Sequence, residues 1–314
     1  MFGSTNTDTH LISMAAGQKR FALVSLLALG STQLRPSSAG AVPAFVTRYL
    51  PAGMHRRSVA AAAPTRCAAE AKPWIGREVP EDCIRVFLVR HGAVDLTTPG
   101  MTFPKNCFYG GHNVPLSAYG EAEARAAAEM LADEKLEMVF SSPLSRAFYG
   151  AERVAERHGL KVVQDERFIE VARGRWLGKT KDQINKEFPA DLESFAKDPT
   201  WKGHGGETYR ELSARVLDGL DSMLVAARSA NATRIALVSH MWVTKSIVTD
   251  ALSIHPDQQD KWEETQIPTA SISVLDFPRA GRGGKAIDVV SVGVKPPILA
   301  QDAVDPATGK PWGG

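Results

Sequence analysis

Leu88-Val89-Arg90-His91-Gly92, closing the apolar run Ile84–Val89, decides how this 314-residue chain is read. A short, continuous, β-branched run such as Val86-Phe87-Leu88-Val89 is the mark of a strand buried on both faces of a sheet. It stops at a cation, an imidazole and a glycine. Open α/β sheets place their ligand sites at the carboxyl ends of parallel strands. There Arg90 offers a fixed guanidinium for an oxyanion, His91 a nucleophilic ring nitrogen, and Gly92 a backbone that a ligand can approach.

The arrangement recurs twice. The strand-like Leu136–Phe140 leads into Ser142-Pro143-Leu144-Ser145-Arg146-Ala147, with Arg146 in the first turn of a helix. The apolar Ile235–Val238 leads into Ser239-His240. Three strand tips thus deliver Arg90, His91, Arg146 and His240 to one place. Two guanidiniums and two imidazoles suit a dianionic phosphoryl group, which planar bidentate Arg donation can neutralise. No His, Cys or carboxylate group stands at metal-ligand spacing, so the expectation is a site with no metal and no cofactor.

Around these tips, strand-like and helix-like segments alternate from Cys83 onward. Ala122, Ala126, Met130 and Leu131 share one helical face, as do Ala147, Ala151, Val154 and Ala155, a helix that Gly159 ends. Lys161–Val163 is a short strand. Leu212, Val216, Leu220, Met223 and Leu224 make a long amphipathic helix starting near Glu207, and Val243, Ile247, Val248, Ala251 and Leu252 another. Ser271–Phe277 and Ala286–Val292 are late strands joined by a turn at Gly281–Gly284. The predicted fold is α/β, a three-layer sandwich with a mostly parallel central sheet and helices on both faces. The segment from Gly92 to Pro115 is a long loop without periodicity, and its Phe108-Tyr109-Gly110-Gly111-His112 reads as a turn folded over the site.

Composition divides the chain into residues 1–75, a targeting leader; 80–292, the folded domain; and 293–314, a Pro- and Gly-rich tail that packs loosely. From Met1 to Ala69 the only acid is Asp8, against seven basic residues, leaving 30 basic and 34 acidic residues beyond. The body is therefore mildly acidic, which excludes nucleic-acid binding as an expectation. Lys19-Arg20, the apolar Phe21–Leu29 and the small-x-small Ala39-Gly40-Ala41 form a signal-like series, followed by a basic, hydroxyl-bearing, acid-free stretch. Such a series resembles the bipartite leaders of algae with complex plastids. A plastid address is the expectation, a mitochondrial one the alternative. The apolar stretch is too short to span a bilayer, so no stable membrane insertion is expected after processing. Cys67, Cys83 and Cys107 make neither a metal pattern nor a disulfide framework.

The motifs together resemble the histidine phosphatase superfamily, also called the phosphoglycerate mutase-like family, over about Cys83 to Phe277. The likeness runs through Arg90-His91-Gly92, Pro115-Leu116-Ser117 with Gly120, Ser142–Arg146, Phe168-Ile169-Glu170 with Gly174, Trp176 and Gly178, Gly205-Gly206-Glu207, and Ser239-His240. It implies a phosphoglycerate mutase-like fold and a histidine acid phosphatase-type phosphomonoesterase. It also implies that His91 is phosphorylated, that Arg90, Arg146 and His240 hold the phosphate, and that Glu170 is the proton donor. Gly92, Tyr109 and Gly110 complete the expected phosphate and substrate contacts, and the expected partner is a small phosphorylated metabolite. Ala93, Thr97, Met241 and Leu177 stand where members commonly carry Glu, Asn, Gly and Glu, which changes the pocket wall.

Some of these residues also have plainer readings. Glu207 reads as a helix-start acid, and as the reserve proton donor should Glu170 be structural. Trp176 and Trp242 divide between packing and recognition. His112, His158 and His204 read as surface residues, and Cys107 as a plain loop thiol. A mutase that returns the phosphoryl group to a sugar acid and a non-catalytic phospholigand binder are the alternative functions. The Tyr109-Gly110 turn resembles that of α-ribazole phosphatase, and a plastid address would suit a sugar phosphate such as a carboxyarabinitol phosphate.

Overall fold

The computed structural model describes residues 72–312 apart from 99, 102, 199 and 281–287. Strand β1 (Cys83–Arg90) is buried along both faces. Its alternating side chains send Ile84, Val86 and Leu88 into one core and Phe87 and Val89 into the other. A strand clad on both sides is what a continuous apolar run encodes. Parallel to it run β4 (Arg234–Ser239), then β2 (Met138–Ser141) and β3 (Val162–Gln164), while on the other side β5 (Ile272–Pro278) pairs antiparallel with β1 and the edge strand β6 (Asp288–Val294) antiparallel with β5. The order across the sheet is β3-β2-β4-β1-β5-β6.

Helices α1 (Ala118–Leu131) and α2 (Ser145–His158) bury their alanine-rich faces against Phe87, Val89 and Val238. On the opposite face α3 (Lys181–Glu187), α4 (Asp191–Lys197), α5 (Tyr209–Ser229), α6 (Met241–Ala251) and the short α7 (Gln259–Glu264) pack with Ile84, Val86 and Leu88. The three layers and mostly parallel sheet are those that the periodicity implies. Local signals stop the helices where expected. Gly159 takes the left-handed conformation (φ 65°) and caps α2. Helix α5 starts near Glu207 as expected, with Thr208 as its N-cap in a reciprocal box with Glu211.

Two boundaries move. Trp74 is 2% exposed, its ring edge-on to Phe87 and its indole N–H donating to Glu134 at 2.8 Å, so the folded body begins upstream of residue 80. The tail is largely exposed yet held along α1 by the Arg125–Asp302 pair and by Tyr119 against Trp312. The expected leader, up to residue 71, and the expected turn at Gly281–Gly284 lie outside the described residues. Among the described residues, no helix is long and apolar enough to cross a membrane.

Candidate active site

The connection from β1 leaves toward β2, whereas that from β4 leaves toward β5 across β1. Ligands bind at such a reversal, outside the carboxyl ends of the two strands. Parallel register pairs Arg90 with Ser239, and the His91 amide continues the ladder onto the Ser239 carbonyl at 2.9 Å. The residues next in line, His91 and His240, therefore face each other with ring centroids 5.1 Å apart. Both are buried.

The His91 imidazole has its proton assigned by a neighbour. His91 Nδ1 lies 2.7 Å from the Gly92 carbonyl, which can only accept, so Nδ1 carries the hydrogen and Nε2 keeps its lone pair. The Arg146 Nε–H donates toward that Nε2 at 3.3 Å. On His240, Nε2 is 2.8 Å from Ser142 Oγ, which already accepts the Leu144 amide at 3.3 Å. Either tautomer can make that contact, and Nδ1 is buried without a protein partner. Burial first, then the Arg146 and Arg90 charges, hold the His91 imidazole well below the ordinary histidine range. Burial and the same two guanidiniums do the same to His240.

Arg146 is fully buried at the start of α2. Its terminal nitrogens donate to the His112 carbonyl at 2.6 Å and the Gly110 carbonyl at 2.7 Å, fastening the long loop over His91. A guanidinium has five N–H groups, so Arg146 keeps some for a ligand besides steering the loop. Tyr109 lies under it, 5.3 Å from the ring centroid to the guanidinium carbon. Gly110 is required where it stands: at φ 41°, a Cβ would meet the Val171 carbonyl oxygen at 2.4 Å. Arg90 donates to the Ile267 carbonyl at 2.6 Å, and its Nε is buried without a partner. Glu170, 6% exposed, accepts the Val171 amide at 2.9 Å and, at the start of α6, the Trp242 amide at 3.3 Å. The two bonds aim its carboxyl group into a cavity of about 210 Å³ that Arg90, Tyr109, Met241 and Trp242 also line. A larger cleft of about 970 Å³ shares Glu170 and Arg173; neither lining includes His91 or His240, but Arg90, next to His91 in the chain, lines only the smaller cavity of the two. The smaller cavity is therefore the one adjoining the strand tips.

Several expectations change. Gly92 does not open a path for a ligand: a Cβ there would strike the Gly120 carbonyl oxygen at 2.1 Å, so the glycine serves loop-to-α1 packing. Glu207 is tied up by the fork of Arg215 at 2.8 and 2.7 Å and lines the larger cleft, away from the cavity. Trp176 is packing, with its indole N–H on Asp191 at 2.9 Å. Trp242 does both, stacking on Tyr209 while walling the cavity. His204 is not a surface residue; at 2% exposure it stacks on Trp176. His158 is half-buried and His112 exposed. Thr97 turns back onto Asp95 at 2.6 Å, and Leu177 lines the larger cleft rather than the cavity. Ala93 gives its amide to Glu123 at 2.7 Å. Cys107 is a free loop thiol, as expected, but a buried one in the cavity wall. The residue that sequence reasoning passed over is Arg173, also in the cavity wall; its only signal is its place between Glu170 and Gly174.

A family model described as the histidine phosphatase superfamily (branch 1) matches residues 86–288. Phosphoserine phosphatase 1 of Hydrogenobacter thermophilus is 29% identical over 158 residues, half of this chain and 71% of that protein. Glucosyl-3-phosphoglycerate phosphatase of Mycobacterium tuberculosis is 34% identical over 131 residues, so the match spans 42% of this chain and only 56% of that relative. Among solved structures, a mycobacterial glucosyl-3-phosphoglycerate phosphatase superposes with TM-score 0.58 at 24% identity, covering 68% of this chain and all of that one. The strand-tip geometry and these matches agree: the chain belongs to the histidine phosphatase superfamily, branch 1.

Proposed function

We propose that the protein hydrolyses small phosphomonoesters in two steps through a phosphohistidine on His91. One observation carries this reading: a buried imidazole whose Nδ1–H is pinned to the Gly92 carbonyl presents its Nε2 lone pair beside two guanidiniums and a second imidazole. In the first step Nε2 attacks phosphorus in line. The P–N bond forms as the P–O ester bond breaks, and Glu170, in its acid form, gives its proton to the departing oxygen. The Arg90, Arg146 and His240 donors neutralise the equatorial oxygens, and such preorganised charge is usually the largest catalytic contribution. In the second step the Glu170 carboxylate takes a proton from water, whose oxygen attacks phosphorus. The P–N bond breaks and its electron pair returns to Nε2. Both named relatives are phosphatases of small phosphate esters, which supports hydrolysis over the mutase reading.

The test is turnover of an aryl phosphate and of a panel holding phosphoserine, phosphoglycerates and sugar phosphates, after exhaustive chelation and again with vanadate. Phosphate release that survives chelation and is inhibited by vanadate is expected. Loss in chelator with rescue by Mg²⁺ or Zn²⁺ would overturn the mechanism. Conversion of 3-phosphoglycerate to 2-phosphoglycerate without phosphate release would make the protein a mutase.

A further inference from the structure

Arg173 follows the proposed acid by three residues and stands in the wall of the same cavity, with Arg90 and Glu170. It is 8% exposed, and its Nε is buried without a hydrogen-bond partner. No carboxylate forms an ion pair with it among the described residues. The flat faces of two aromatic rings hold it instead: its guanidinium carbon is 5.0 Å from the Phe108 ring centroid and 5.6 Å from that of Trp242. Aromatic faces attract a cation without using its N–H groups. Arg173 therefore keeps its charge and its in-plane donors unspent. A buried guanidinium is normally paired with an anion. Elsewhere in the domain arginines are paired so: Arg175 is forked onto Asp191 and Arg215 onto Glu207.

The backbone holds Arg173 in place as firmly as the rings do. Gly110 leaves room for its stem, since a Cβ there would lie 2.6 Å from the Arg173 Cγ. Next to it Gly174 turns at φ 51° with its Cα against the His204 carbonyl oxygen, where a Cβ would come within 2.2 Å. The side chain is thus aimed from a fixed backbone.

We infer that Arg173 recognises a carboxylate on the substrate, so that the preferred phosphomonoesters are phosphorylated hydroxy acids. This inference rests on the phosphomonoesterase reading and names its substrate class. The charge count favours a carboxylate over a second phosphate. The phosphoryl position has two guanidiniums and two imidazoles for a dianion, whereas the second position has one guanidinium, matched to a single negative charge and to the planar fork of a carboxylate. Arg90 and Arg173 line the same cavity of about 210 Å³, so both can reach one bound molecule.

The test uses two pairs that differ in the carboxyl group alone: phosphoserine against phosphoethanolamine, and 3-phosphoglycerate against glycerol 3-phosphate. Wild-type kcat/KM should favour the acid of each pair by on the order of 10- to 100-fold, the range for a hydrogen-bonded charge. In Arg173→Met, which keeps an unbranched apolar stem and removes the guanidinium, that ratio should collapse toward one, chiefly through KM. Arg173→Lys should restore part of it. A wild-type ratio near one, or a ratio that Arg173→Met leaves intact, would overturn the inference. So would a preference for an alkane bisphosphate over both acids. Aryl phosphate turnover by the wild type separates the two readings: its absence sinks the phosphatase itself, its presence with no carboxylate preference sinks the role of Arg173 alone.

Discussion

His91 and His240 would be ordinary histidines outside this cluster; their neighbours decide what they do. Burial and the Arg146 and Arg90 charges hold the His91 imidazole well below 6.5, so its neutral, nucleophilic form persists as pH falls beneath the usual histidine range. The acid limb of kcat/KM for an aryl phosphate should accordingly lie below pH 6.5. Arg146→Gln removes a charge that lowers the His91 pKa, so the limb should move to higher pH, along with a loss of rate. Profiles of both enzymes on one substrate check this, and coincident limbs would sink it. Glu170 gives a second expectation. An alkoxide needs its proton whereas a nitrophenolate scarcely does, so Glu170→Gln should slow alkyl phosphates by about 10²–10⁴ and the phosphorylation step with an aryl phosphate far less. Single-turnover rates on both substrates decide it; equal losses would make Glu170 structural. At this scale the sequence was legible where strand tips concentrate unlike polar residues, at Arg90, His91, Arg146 and His240. It was opaque at Arg173, because its rings and cavity are made by Phe108 and Trp242, far apart in the chain.

The elements hold the site through contacts that periodicity does not show. The β1-to-α1 loop is locked by two glycines meeting face to face: a Cβ on Gly120 would strike the Ala93 carbonyl oxygen at 1.9 Å. One turn later Glu123, buried in α1, accepts the Ala93 amide at 2.7 Å and the Thr269 hydroxyl at 2.9 Å, with Lys295 as its counter-ion. An acid on an alanine-rich helix reads as solvated, and only the strand tips and the tail reveal otherwise. Where Ala93 replaces the Glu common in the family, this carboxylate holds the loop from α1. Glu123→Ala leaves the Ala93 amide without its partner and should destabilise the domain by about 2–3 kcal/mol, seen as a lower urea midpoint, with aryl phosphate turnover falling as the loop loosens. An unchanged midpoint would show that the buried carboxylate holds nothing. Gly120→Ala should fail more completely, yielding little folded protein.

Over the whole molecule, the three layers and the mostly parallel sheet follow from apolar runs that are buried on both faces, and these were legible in the sequence, whereas the strand order was not. The buried fork of Arg85 onto Asp276 (2.8 Å on each arm) was not, since the partners are 191 residues apart and meet only when β5 pairs antiparallel with β1. Nor was the docking of Trp74. We propose that the N-terminal stretch is a cleaved leader with a plastid address, supported by its basic, acid-free composition. The native N-terminus should then lie upstream of Lys72, because a chain cut beyond Trp74 loses an indole buried against Phe87. Trp74→Ala should cost about 3–5 kcal/mol, and sequencing the native protein locates the cut. An intact Met1, or a mature chain starting after Trp74, would contradict the proposal.

The central claim is that His91 becomes phosphorylated during turnover, and a rapid-quench experiment with Glu170→Gln and an aryl phosphate tests it most directly. Blocking water activation should trap the intermediate, so the quenched protein should carry acid-labile, base-stable phosphate on the peptide containing His91, and His91→Ala should carry none and release none. Phosphate release by His91→Ala near the wild-type rate, or label on any other side chain, would contradict it.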